Sequence, residues 1–175
     1  MELNKTRVIM AELTSNKNYL QPTGFKLVIS GDGYKNMSYF AQSVTHPGSS
    51  VNPTELPTQR ITSVPLAGDK ITYGELTVEI MLDEDIVAYK EMQNWLERIV
   101  NQGQDNSVGS AGTIRSTYAD ITLIIMSSHN NKNVQIKYFD ALPTNVSPIT
   151  LSSNVSDITY PTFSVNFRFS SFELL

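Results

Sequence analysis

Residues 73–85 read YGELTVEIMLDED, and most of this stretch alternates, with Leu76, Val78, Ile80 and Leu82 on one face and Glu75, Thr77, Glu79 and Met81 on the other. A period of two belongs to an extended strand with one face buried. The final acids change the pattern. Downstream of Asp83, the residues Ile86, Tyr89, Met92, Leu96, Ile99 and Val100 recur at helical spacing, with Trp95 beside them. That spacing predicts an amphipathic helix over about residues 84–100. Asp83 is placed as its N-cap, Glu84 and Asp85 suit the positive end of the helix dipole, Arg98 suits the negative end, and Gly103 supplies a stop.

The strand period returns at Ile121, Leu123 and Ile125, at Val134, Ile136 and Tyr138, and at Phe163, Val165, Phe167 and Phe169. A mainly β domain is therefore expected, with one flanking helix. Gly31, Asp32 and Gly33 between Phe25–Ser30 and Met37–Val44, and Asn130–Asn133 further on, carry turn chemistry and read as two hairpins. After Phe169 the alternation slips through Ser170 and Ser171 to Phe172 and Leu174, which suggests a bulge or a tail that leaves the sheet to dock on a neighbour.

Two stretches exceed an ordinary connection. Thr45–Lys70 holds Pro47, Pro53, Pro57 and Pro65 and reads as a stiffened contact arm; Asn101–Ser116 is rich in Gly, Ser and Asn. The segment before Gly24 is weakly patterned and carries Lys5, Arg7 and Lys17, so residues 1–23 are read as an N-terminal arm and 24–175 as one domain. No repeat at solenoid or propeller periods is present.

Bulk composition narrows the functional classes. The chain has 175 residues and a formal net charge of -4, with a sequence pI near 5.1. It offers no broad basic field to hold phosphates by counterion release. Lys26, Lys35, Lys132 and Lys137 are scattered, as on solvated strand faces. There is no cysteine, so disulfides, thiolate metal sites and cysteine nucleophiles are excluded. Val8–Leu13, interrupted by Glu12, is the longest apolar run near the N-terminus, far below the roughly eighteen residues of a membrane span. Sequons at Asn4, Asn36, Asn145 and Asn154 are what a chain rich in Asn, Ser and Thr yields by chance.

Candidate chemistry is sparse. His46 and His129 lie in turn-like contexts, lack the helical i, i+4 spacing of a zinc site, and have no partners that would make either a catalytic base. Asp83, Glu84 and Asp85 could hold a hard cation, but helix capping accounts for them more simply. Gly31–Gly33 lacks the lysine and following helix of a phosphate loop. No catalytic, metal or cofactor residue is assigned, and the chain is read as non-enzymatic. For Trp95 two readings stand, a seal on the sheet or an interface anchor. Exposed aromatics such as Tyr34, Tyr39, Tyr118 or Tyr160 would suit a β-sandwich module that binds carbohydrate or peptide, although they are not spaced as a platform.

Several passages in order resemble the tail tube family of contractile phages: AQSV at 41–44 with Pro47 and Gly48, YGELTVEIMLDED at 73–85, MQNWL at 92–96, and FDALPTNV at 139–146 before a hydrophobic terminal strand. The resemblance runs from about Phe25 to Leu174. It implies a tail-tube-like β-sandwich or barrel with one helix and long assembly loops, working as a homo-hexameric ring around a channel through which DNA passes without specific binding. It further implies a virion tail component, assembled in the host cytoplasm beside tube, sheath, neck or baseplate proteins. The AQSV and PG passage and the MQNWL helix look most like the head-proximal terminator or completion protein, while PTNV and the terminal strand look equally like the repeating subunit; a baseplate initiator is a further alternative. Ring contacts are expected from sheet edges and from the proline-rich stretch. The candidate contact residues are Pro47, Val51, Pro53, Leu56, Pro57, Ile61 and Pro65, together with Trp95, Phe172 and Leu174.

Overall fold

A computed structural model describes residues 19–20, 22–31, 34–57, 63–102, 117–153 and 160–175. Strand β7 (Leu76–Met81) is the one the alternation marks most plainly, with Leu76, Val78 and Ile80 fully buried. It pairs antiparallel with β10 (Thr162–Arg168), so that Leu76 faces Phe167, Val78 faces Val165 and Ile80 faces Phe163. These opposed residues share one face of the sheet, and all of them are buried, which makes this pair the centre of the core. On its other side β7 pairs with β2 (Ala41–Thr45), with an irregular register between Ala41 and Ser43.

The rest of the sheet is reached through one long strand, β9 (Lys132–Val146). Its first part pairs with β8 (Ala119–Met126) and, on the opposite side, with β11 (Ser171–Leu174); its last part pairs with β10. The change of partner falls at Asp140, which sits at φ 51°, a left-handed conformation that Asp tolerates better than most residues. Asp140 is held there by a hydrogen bond from Ser170 Oγ to Oδ2 at 3.1 Å. β1 (Phe25–Ile29) completes the order β1-β8-β9-β10-β7-β2, with β11 beside β9. One continuous sheet thus bends at β9 into two layers, and Leu27, Ile121, Leu123, Ile136 and Tyr138 join the β7 and β10 residues in a single core.

Two helices flank the sheet, where the sequence indicated one. α2 (Val87–Gln102) starts three residues later than its acidic cluster suggested. Asp83 is the cap, but its carboxylate reaches past Glu84 and Asp85 to accept from Val87 N at 2.9 Å and Ala88 N at 3.2 Å. Its carbonyl accepts from Ile86 N, and Ile86 turns at φ 55°. The buried stripe of α2 is Ala88, Met92 and Trp95, flanked by half-buried Tyr89 and Ile99, whereas Val100 is exposed. Gly103, the expected stop, lies outside the described residues.

The second helix, α1 (Lys35–Phe40), occupies residues read as a strand from sequence. It has no side-chain cap of its own. Glu91 on α2 supplies one, accepting from Asn36 Nδ2 at 2.7 Å and from Met37 N at 3.3 Å. Consequently the expected hairpin around Gly31 does not form: β1 pairs with β8 and β2 with β7, with α1 between them. The hairpin at 130–133 does form, joining β8 to β9. The terminal slip is a crossing, since β10 ends at Arg168 and β11 returns to the chain's own β9 instead of leaving for a neighbour.

Candidate assembly surface

Between Thr45 and Leu76 the proline-rich stretch is a two-part β ribbon. β3 (Ser49–Val51) pairs with β6 (Ile71–Tyr73), and further out β4 (Thr54–Leu56) pairs with β5 (Val64–Leu66). Every residue of β3, β4 and β5 is exposed. Two-stranded ribbons this short are at best marginally stable alone, yet this one carries apolar side chains in open solvent: Val51 at 48%, Leu56 at 47%, Val64 at 50%, Leu66 at 44% and Ile71 at 58% exposure. The register groups them. Val51 lies opposite Ile71, Leu56 opposite Val64 and Thr54 opposite Leu66, so each half of the ribbon has one apolar face. A contiguous uncovered apolar face marks an interaction surface.

The root of the ribbon is fixed to the domain by an aromatic cluster. Tyr73 packs on Phe169 and Phe172, with ring centroids 5.6 and 5.3 Å apart, and His46 meets Phe172 edge-on at 5.0 Å. His46 Nδ1 lies 2.7 Å from the Tyr138 hydroxyl. Burial raises the Tyr138 phenol above its ordinary range and lowers the His46 imidazole, although much of the histidine ring still reaches solvent. The neighbouring backbone closes the root, Gly74 N donating to Gly48 O at 3.0 Å. At mid-length the two opposed limbs of the ribbon approach closely: a Cβ on Gly68 would stand 2.2 Å from the Asn52 carbonyl oxygen. Only glycine permits that approach.

The candidate residues separate accordingly. Val51 and Leu56 lie on the apolar faces, Pro53 turns the chain between β3 and β4, Pro57 follows β4, and Pro65 sits within β5 opposite Glu55. Pro47 is buried at the root, where Phe172 also packs, so both hold the ribbon in place from inside this chain. Leu174 is 64% exposed at the end of β11. Ile61 lies outside the described residues. Trp95 is fully buried, stacked on Tyr34 at 4.5 Å and near Phe167 at 5.8 Å, with its indole N–H donating to Thr117 O at 2.8 Å. It seals the sheet and presents nothing to a neighbour. Val64, Leu66 and Ile71 were missed because runs of three residues broken by Pro65 and Gly68 are too short for alternation to register.

The other candidate chemistry resolves into structure. Asp83 caps α2, and its carboxyl, pushed up by burial but pulled down further by the Val87 and Ala88 N–H groups and Lys90, ends below its usual range. His129 lies in the β8–β9 turn beside Ser128. Among the described residues no group of three or more His, Asp or Glu side chains converges on a metal position.

The described residues thus form a bent β sheet flanked by two helices, from which a ribbon arm with exposed apolar faces extends. The chain belongs to the phage tail tube protein family, whose model matches residues 7–175. It is accordingly a structural component of a viral tail tube. Among solved structures, the fold is similar to that of the anti-feeding prophage tube-terminating cap, at 11% identity and a TM-score of 0.64, covering 96% of this chain and 98% of that one. It is also similar to the sheath/tube terminator of the PVC extracellular contractile injection system in the extended state, at 12% identity and a TM-score of 0.63, covering 91% and 99%. The PVC sheath-tube complex in the extended state gives 12% identity and a TM-score of 0.61, covering 91% and 93%. No curated protein sequence matches this chain.

Proposed function

We propose that the chain is a non-enzymatic, ring-forming subunit of a contractile phage tail tube, assembled in the host cytoplasm as a homo-hexamer whose channel conducts the genome. The observation that carries this reading is the ribbon of β3, β4, β5 and β6, where Val51, Leu56, Val64, Leu66 and Ile71 are all exposed and would be covered by a neighbouring surface. When one patch of a subunit meets a different patch of the next, the contact closes into a ring if the rotation between subunits closes. The net charge of -4 fits a channel that repels phosphate, so DNA slides and is not retained.

Within the tail we place the ring at the head-proximal end, as the terminator or completion protein beside tube, sheath and neck partners. The passages at 41–48 and 92–96 support that position, and the fold shared with two terminating structures is consistent with it. The repeating tube subunit and a baseplate initiator are the alternatives. Electron microscopy of the purified full chain separates them: single hexameric rings are expected, spontaneous long tubes favour the repeating subunit, and a strictly monomeric protein that never joins tail partners refutes the reading.

A further inference from the structure

β1 and β11 lie at opposite sides of the layer they share with β8 and β9, and the register sets them level. Leu174 is opposite Ile136, Ile136 opposite Leu123 and Leu123 opposite Leu27; one position away, Glu173, Lys137, Thr122 and Val28 follow one another in the same way. At β11 two large apolar side chains stand in solvent, Leu174 at 64% and Leu175 at 59% exposure, with exposed Glu173 before them. They are not a frayed end, because Leu175 and Gln135 exchange both backbone hydrogen bonds, at 2.8 and 3.0 Å. At β1 a cleft of about 640 Å³ opens between the strand and α1. Leu27 and Ile29 form its closed floor, so no strand can be added there. Its reachable walls are Phe25 and Val28 on β1, Tyr39 on α1 and Met126 at the end of β8, and Lys26 and Lys35 stand exposed on its two sides. Among the described residues neither lysine forms an ion pair, nor does Glu173.

We infer that the cleft between β1 and α1 seats the end of β11 from a second copy of the chain, by side-chain contact. Three features match. Neighbours in a ring present different patches to each other, and here the two patches stand at opposite sides of one layer and at the same level of its register. The faces correspond, since side chains alternate across a strand: Leu174, on the core side like Ile136, enters between β1 and α1, while Glu173 and Leu175, on the other side, meet Lys26 and Val28, which share that side of β1. The charges are complementary, the carboxylate beside the leucines being brought to the lysines that flank the cleft. Both exposed leucines are covered in the same step.

This inference rests on the ring reading and names one contact within it. Because the chain has no cysteine, single cysteines report it cleanly. Full-length Leu174→Cys is mixed with a size-tagged Tyr39→Cys chain, Tyr39 being 81% exposed on the α1 wall, and mildly oxidised. A mixed disulfide dimer is expected, and none when Leu151→Cys replaces Tyr39→Cys. In parallel, Lys26→Glu and Glu173→Lys should each weaken assembly by up to about five-fold per contact, the scale of a surface ion pair. An equal mixture of the two should recover it, because alternating copies then meet with opposite charges at every contact. Rings or tubes that form in the microscope without the mixed cross-link, or that cross-link as readily through Leu151→Cys, overturn the seating of β11 and leave the ring intact. So does a cross-link to Tyr39→Cys from Leu56→Cys on the ribbon but not from Leu174→Cys, which gives the cleft another occupant. A chain that forms no assembly with itself or with tail partners overturns the ring reading, and the inference with it.

Discussion

The Nδ1 atom of His46 lies 2.7 Å from the hydroxyl of Tyr138, a residue 92 positions away on β9. Tyr138 is fully buried and its phenol stays protonated, so it donates to a neutral imidazole. One hydrogen bond therefore satisfies the polar end of a core aromatic and ties the first residue after β2 to the strand that joins the two layers. Tyr138→Phe should cost about 0.5–1.5 kcal/mol, the worth of a neutral hydrogen bond, whereas Tyr138→Ala should cost about 3–5 kcal/mol, as for an emptied aromatic site. Equilibrium urea unfolding measures both, and equal losses would mean that the ring is not packed as described.

The same pair sets a pH dependence. Burial lowers the His46 pKa from its ordinary 6.5, so the unfolded chain binds the proton more readily. Stability from this site is therefore complete above about pH 6.5 and declines as the pH falls below it, until the folded value is passed. Thermal midpoints taken between about pH 7.5 and 5 should fall less steeply for His46→Phe, which keeps the edge-on packing against Phe172. Identical slopes for the variant and the parent protein would show that the imidazole does not titrate differently on folding.

Asp83 is the clearest local determinant, since its two carboxylate oxygens accept from Val87 N and Ala88 N. Asp83→Ala should destabilise the chain by about 0.5–2 kcal/mol, which for a domain of this size lowers the melting temperature by about 2–4 °C per kcal/mol. Asp83→Asn, which keeps an acceptor, should recover most of the loss. Calorimetry on the two variants distinguishes capping from any role in cation binding, because added calcium or magnesium should change neither midpoint.

What the sequence disclosed follows the range of the forces involved. Leu76, Val78 and Ile80, like Phe163, Val165 and Phe167, alternate over strands long enough for the period to be read, and all are buried. The Asp83 cap was legible because its partners lie within five residues. α1 was not, since its first turn is closed by Glu91, 54 and 55 positions away, and its six residues are too few to display a helical period. The slip after Phe169 left a bulge and a departing tail as alternatives because Ser171–Leu174 finds its partner across the fold in β9, which no local pattern records. At the arm, the prolines marked the place but concealed the strands, and the assignment of Pro47, Phe172 and Trp95 to a neighbour missed that each already has a partner within this chain.

Trp95 offers a direct contrast between packing and assembly. Its indole N–H donates to Thr117 O at 2.8 Å while the ring fills space between Tyr34 and Phe167. Trp95→Phe should cost about 0.5–1.5 kcal/mol by removing that hydrogen bond, and Trp95→Ala about 3–5 kcal/mol. Both losses should appear in the isolated chain at concentrations too low for assembly. A variant that unfolds normally but fails to assemble would instead restore Trp95 as an interface residue.

Gly68 gives the opposite signature. A Cβ there would meet the Asn52 carbonyl at 2.2 Å and the Val51 side chain at 2.9 Å, so Gly68→Ala must push the two limbs of the ribbon apart. None of the residues displaced belongs to the buried core, and the ribbon exposes its apolar faces in the isolated chain. Unfolding of the domain should therefore change by no more than about 0.5 kcal/mol, as for a surface substitution. Ring or tube formation, in contrast, should be lost, because the apolar faces carrying Leu56, Val64 and Leu66 no longer present in register. Leu56→Asp tests the same surface without strain, placing a charge where burial is required, and should likewise spare the fold while abolishing assembly. Circular dichroism melts together with negative-stain microscopy read both halves of this expectation, and intact rings from either variant would remove the ribbon from the interface.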